Sequence, residues 1–202
     1  MLIQRSAGNV YYNGRKLNVF AAVDFAFSLA KRADYTAIVV VGVDHDVNYY
    51  VLDIARFKTD KIKEYYDEIL RLHQIWGFRT LRAEVSIAQQ IIVKDLKENY
   101  IRRNGLALSI DEYRPTRHEG TKEERISATL HPRYQNRQIW HKKGGNWELL
   151  EQELVMVKPP HDDIKDCLTS AISVAVAPTH AAFYRQRNYA AENAHPRFGG
   201  IV

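Results

Sequence analysis

Apolar strands that end on carboxylates restrict what this chain can fold into. Val19-Phe20-Ala21-Ala22-Val23 ends on Asp24. Ala37 to Val43 is rich in β-branched residues and reads as a buried strand. Thr80-Leu81-Arg82-Ala83 ends on Glu84, and Asp162, Asp163 and Asp166 open an apolar helix just after Pro159-Pro160. An unpaired carboxylate is costly where a strand meets a core. Three such placements from distant parts of the chain predict carboxylates converging on a divalent metal.

The 202 residues make one domain, or one domain with a tail, and are enough to bury a sizeable core. Residues 1–18 read as an N-terminal lead-in or short hairpin, 19–177 as the folded domain and 178–202 as a C-terminal tail. A formal net charge of +5 fits a polyanionic partner without requiring one. The single cysteine, Cys167, excludes an intrachain disulfide framework and fits a reducing compartment. Its place on an apolar helix face makes it a core thiol rather than a nucleophile. No stretch approaches the ~20 apolar residues of a membrane span. No secretory signal pattern follows Met1.

Strands are expected at 19–24, 37–43 and 47–57, the last two joined by a turn at Asp44-His45-Asp46, as an antiparallel meander. A helix capped by Thr59 and ended by Gly77 follows, with Ile62, Tyr65, Tyr66, Ile69, Leu70 and His73 at helical spacing. Next come a strand at 79–84 and a helix at about 87–103, opened by a Ser86/Gln89 capping box. A strand at 106–113 and a helix from a Thr121/Glu124 capping box to about Leu130 come next. The last elements are a short strand within 137–142, a short helix at 147–154 and a core helix at 162–177. Its buried stripe is Ile164, Cys167, Leu168, Ala171, Ile172 and Ala175. The i, i+3 spacing of Asp163 and Asp166 puts both carboxylates on one helix face, expected to lie opposite that stripe.

Phosphodiester hydrolysis needs an activated water and stabilised charge on the phosphate and the leaving oxygen. Two divalent ions held by hard oxygen ligands supply these. Asp24 would bridge both ions from a rigid strand end, Glu84 would hold one, and Asp163 and Asp166 would complete the set. Each acid has a plainer role as well. Asp162 or Asp163 can cap a helix, Asp24 can sit in a turn, and Glu84 can be a surface acid.

Val19–Asp24 followed by Asp34-Tyr35-Thr36-Ala37-Ile38-Val39, then Arg82-Ala83-Glu84, Lys122-Glu123-Glu124-Arg125-Ile126 and His161–Leu168 occur in the order found in one family. The chain resembles the nuclease domain of viral large terminases, the motors that package phage DNA, within the RNase H-like superfamily. The resemblance spans about 19–177. It implies an α/β RNase H-like fold, a central mixed sheet of five or more strands flanked by helices, with a short auxiliary hairpin. It implies cleavage of double-stranded DNA with little sequence preference, Mg²⁺ or Mn²⁺ as cofactor, and Asp24, Glu84, Asp163 and Asp166 as catalytic residues. Asp162 joins these as a metal ligand, and either Asp162 or Asp163 is the primary one. It further implies an ATPase domain, a portal and a small terminase subunit as partners, and the host cell cytoplasm as location. The isolated domain is expected to be a monomer with no membrane association.

The chain departs from a whole large terminase in one respect: it has no G-x-x-x-x-G-K-[ST] phosphate loop. It is therefore expected neither to bind nor to hydrolyse ATP, and it resembles an isolated C-terminal nuclease domain with Met1 as an internal start. Lys31 and Arg32, Arg114 and Arg117, and Lys142 and Lys143 are loop cations that could contact DNA phosphates. His161 is a candidate auxiliary residue. Two other readings stand beside this one: a Holliday-junction resolvase, and a non-catalytic docking domain whose acids are structural.

Overall fold

The computed structural model describes residues 3–6, 8–26, 34–86, 89–156 and 159–179. A central sheet is built from β1 (Ile3–Ser6), β2 (Asn9–Tyr12), β3 (Arg15–Asp24), β4 (Thr36–Val43), β5 (Tyr49–Phe57), β6 (Thr80–Glu84), β7 (Ser109–Tyr113) and β8 (Ile139–Trp140). Strands β1 to β5 run antiparallel in sequence order. One edge of β3 is shared: its first residues pair with β2 and its last with β6, which runs parallel to it. Strand β7 extends the sheet parallel to β6, and β8 pairs in parallel with the start of β5.

Helices cover both faces. On one lie α1 (Ile62–Trp76) and α2 (Gln89–Asp95), the latter continuing as a π-helix over Leu96–Arg102. On the other lie α3 (Lys122–Gln135), α4 (Asn146–Val155) and α5 (Asp163–Val174). Alternation along the strands divides the core accordingly. Ala21, Val23, Ile38, Val40, Leu81 and Ala83 face the α1 layer, while Ala22, Ala37, Val39 and Val41 face α5. A bulge at Leu52, where the β4–β5 register shifts, keeps this division and turns Asp53 toward Trp76 Nε1, 2.8 Å away.

Several boundaries differ from those read in the sequence. Strand β3 starts at Arg15 rather than 19, because Asn13 and Gly14 both take positive φ and turn β2 back onto it as a hairpin. Lys61, not Thr59, holds the N-cap position of α1. Thr59 Oγ1 instead accepts from Lys61 N and donates to Glu64. Helix α3 runs past Leu130 and Pro132 to Gln135, since a proline forfeits one helical bond without stopping the turn that follows. Helix α5 ends at Val174, not 177.

Candidate metal centre

The site begins with strand register. Asp24 and Glu84 are paired residues of the parallel β3–β6 ladder, each the last of its strand. Both share the parity of Ala22 and so face the α5 layer. Two carboxylates thus stand side by side at neighbouring strand ends.

Helix α5 brings the others down onto them. Cys167 Sγ lies 3.1 Å from Ala22 O and 3.4 Å from Ala37 O, a close approach that only a small side chain permits. Burial pushes the Cys167 thiol well up, as suits a packing residue. From α4, Glu153 reaches across to accept the Lys165 backbone N–H at 2.9 Å, capping the helix start with a carboxylate. Glu153 is only 5% exposed, and burial raises its pKa to about 7.

Asp163 and Asp166, which the sequence sets opposite the apolar stripe, are buried as well. They are 3% and 7% exposed. Lys122 of α3 covers Asp166, while Tyr35, just before β4, and Arg56 of β5 cover Asp163. Asp166 lies in the field of both Asp24 and Glu84. Burial first, and then Asp166, raises the Asp24 pKa to about 7; Glu84 and Asp163 add to the rise and Lys122 opposes it. The Glu84 pKa is raised by burial and then by Asp166, with Arg125 and Lys122 opposing. Asp163 is raised by burial and relieved by the Tyr35 N–H, 3.2 Å from its Oδ2, and by Arg56.

Glu84, Asp163, Asp162 and Asp166 are paired with three cations, the last two acids sharing one. Arg125 reaches Glu84 at 3.4 Å and Arg56 reaches Asp163 at 3.5 Å. Lys122 Nζ is 3.0 Å from Asp162 Oδ1 and 3.0 Å from Asp166 Oδ2. The charge of Asp166 acts on both Asp24 and Glu84, which makes these three the candidate centre. Asp163 belongs to its edge and Asp162 to its rim. Among the described residues, no three His, Cys, Asp or Glu side chains are arranged to hold an ion outright. The donor chemistry nevertheless fits a hard divalent ion: the acids are oxygen donors, and burial, with their mutual repulsion after it, raises the pKa of Asp24 and of Glu84.

His161 sits edge-on to Tyr35 with its Nδ1 3.6 Å from Asp34, beside Asp163 rather than at the centre. Arg56 stacks on the same Tyr35 ring. A cleft of about 590 Å³ opens beside Glu84 and Asp166, with Arg82, Tyr113, His118 and Arg125 in its wall. Of the loop cations, Arg114 is exposed and directly follows Tyr113, the register partner of Glu84. Arg117 falls in a short 3₁₀ turn, Arg117–Glu119. Lys142 and Lys143 follow β8 at the far edge of the sheet, separated from β3 by β4 and β5, and Lys142 lies over the Trp147 ring. Lys31 and Arg32 lie outside the described residues.

Lys122, Arg125, Arg56 and Glu153 carry no assigned role in the sequence reading. The first two had a signal there, because i, i+3 spacing in α3 puts both cations on one face.

Two solved structures share this architecture. The large terminase nuclease from thermophilic phage G20c aligns over 86% of this chain and 92% of its own, at 15% identity and a TM-score of 0.55. The chain has that fold. A second structure of the same nuclease, with bound zinc, matches at a TM-score of 0.54, again at 15% identity over 86% of this chain and 92% of its own. Topology agrees with the RNase H-like arrangement: an antiparallel β3–β4–β5 meander with β6 and β7 added in parallel on the β3 side. A Thermus thermophilus RuvC in complex with a Holliday junction substrate aligns more loosely, over 83% of this chain and 95% of its own, at 15% identity and a TM-score of 0.48. No protein-family model and no curated protein matches the sequence. No helix among the described residues is long and apolar enough to cross a membrane.

Proposed function

We propose that this chain is a metal-dependent endonuclease that cuts double-stranded DNA with little sequence preference, the cutting module of a viral DNA-packaging terminase. The observation that carries this reading is the register pairing of Asp24 and Glu84 at adjacent strand ends, facing Asp166 of α5. The shared fold of the G20c terminase nuclease supports it, and the zinc bound to that nuclease supports the use of a divalent ion.

Divalent ions, Mg²⁺ or Mn²⁺, would supply an activated water and neutralise charge on the scissile phosphate. Asp24, Glu84 and Asp166 would hold them, with Asp163 beside them and Asp162 at the rim. Asp24 contributes rigidity, since the strand end fixes its backbone in two ladders. Arg125 keeps the Glu84 carboxylate oriented, and Glu153 sets the axial position of α5 and hence of Asp163 and Asp166. Arg114 and the other loop cations, Lys31, Arg32, Arg117, Lys142 and Lys143, would meet backbone phosphates, contacts that carry no sequence information. An ATPase domain, a portal and a small terminase subunit are the partners of this role, in the host cell cytoplasm. The chain itself lacks a phosphate loop and is assigned no ATPase activity.

Cleavage of supercoiled plasmid, linear duplex and a four-way junction in Mn²⁺, each with a chelator control, tests the reading. Comparable metal-dependent cutting of plasmid and duplex is expected. Cutting confined to the junction would favour a resolvase. DNA binding without any cutting would favour a docking domain.

A further inference from the structure

The stretch Lys122-Glu123-Glu124-Arg125-Ile126 stands out in the sequence, yet a metal site needs no lysine. In the fold, Lys122 is the first residue of α3, fixed there by the reciprocal Thr121/Glu124 capping box. Its ammonium lies 3.0 Å from each of two carboxylates on another helix, Asp162 and Asp166. The side chain is 35% exposed. Burial lowers its pKa, but Asp166 and Asp162 more than reverse this, so the ammonium stays charged throughout the physiological range. The same charge is what relieves Asp24, and it helps to relieve Glu84.

An ammonium that bridges two carboxylates and eases a third and a fourth does the electrostatic work of a bound ion. It also engages the Asp166 oxygen that such an ion would need. We infer that Lys122 is a built-in counter-cation of the carboxylate centre, which a divalent ion must displace from Asp166 in order to bind. The inference rests on the metal-centre reading above. It makes Lys122 a positioning residue that stabilises the metal-free protein and sets how much free metal is needed to load the site.

A lysine that only braced the fold would loosen the site when removed. A competing cation does the reverse. The test is a Mn²⁺ titration of the full chain, with free ion followed by electron paramagnetic resonance at fixed pH and ionic strength. Lys122→Gln is expected to bind Mn²⁺ about tenfold more tightly than wild type, and to melt at a lower temperature than wild type when metal-free. Unchanged or weaker Mn²⁺ binding would overturn the inference, while wild-type binding that Asp24→Asn weakens would leave the metal centre standing. Absence of Mn²⁺ binding in both wild type and Lys122→Gln would overturn the metal centre and the inference together. Should Lys122→Gln fail to fold without metal, the pair Asp162→Asn and Lys122→Gln/Asp162→Asn carries the same comparison with one repulsive charge removed. Tighter binding by the double variant is expected, and equal binding would contradict the exchange.

Discussion

Glu153 and Val47 show how much single residues carry in this molecule. Glu153 holds its proton up to about pH 7, above the usual carboxyl value of roughly 4.3. Between those two values the folded protein binds more protons than the unfolded chain, so this group's stabilisation is present at low pH and is lost as pH rises toward 7. Glu153→Gln keeps an acceptor for the Lys165 N–H but does not titrate. Metal-free wild type should therefore lose melting temperature relative to this variant between pH 5 and 8, and parallel curves would contradict the assignment. Val47 has φ of 61°, where a β-branched side chain is strained. It is exposed, so Val47→Asn should gain about 1 kcal/mol in urea unfolding; a loss would mean that the side chain packs usefully. Asp24 and Glu84 were legible in the sequence because an acid that ends an apolar strand is conspicuous. Glu153 was not: nothing in Glu148–Glu153 marks one buried acid from its exposed neighbour Glu151.

Among the elements, α5 decides the site, because its axial position determines how near Asp166 comes to Asp24. Cys167 is the contact that lets it approach β3 and β4. Cys167→Ala removes a small buried group and should cost about 1 kcal/mol while leaving metal-dependent nicking intact. Loss of nicking in a well-folded Cys167→Ala protein would draw the thiol into the chemistry. Helix periodicity made α5 and its stripe readable in advance, and β-branching made β4 readable. The burial of Asp163 and Asp166 was not readable, since it comes from Tyr35 and Arg56 on one side and Lys122 of α3 on the other, and a sequence does not state which elements a polar face meets. The Asn13-Gly14 turn was the missed local signal, and it explains the early start of β3.

As a whole, the molecule gathers its acids at one end of its sheet, where Arg56, Lys122 and Arg125 balance them only in part. Divalent metal should therefore raise the melting temperature by mass action, and Asp24→Asn should respond less. Equal shifts in both proteins would indicate nonspecific ion binding. DNA affinity should be nearly sequence-blind and fall steeply with salt, each lost phosphate contact reducing the log–log slope by about 0.9. Reversing the charge of Arg114, at the acidic end of the sheet, should reduce that slope for all sequences alike. The fold itself followed from strand order and helix spacing, whereas the ion pairs that partition the acids depend on long side chains from separate elements. The carboxylates ending β3 and β6, with one from α5, are proposed to form a hydrolytic metal centre. Nicking of supercoiled plasmid in Mn²⁺ by wild type, Asp24→Asn and Glu84→Gln, each verified as folded by circular dichroism, tests it most directly. Wild type should nick and both variants should be silent; undiminished nicking by a folded Asp24→Asn protein would contradict the account.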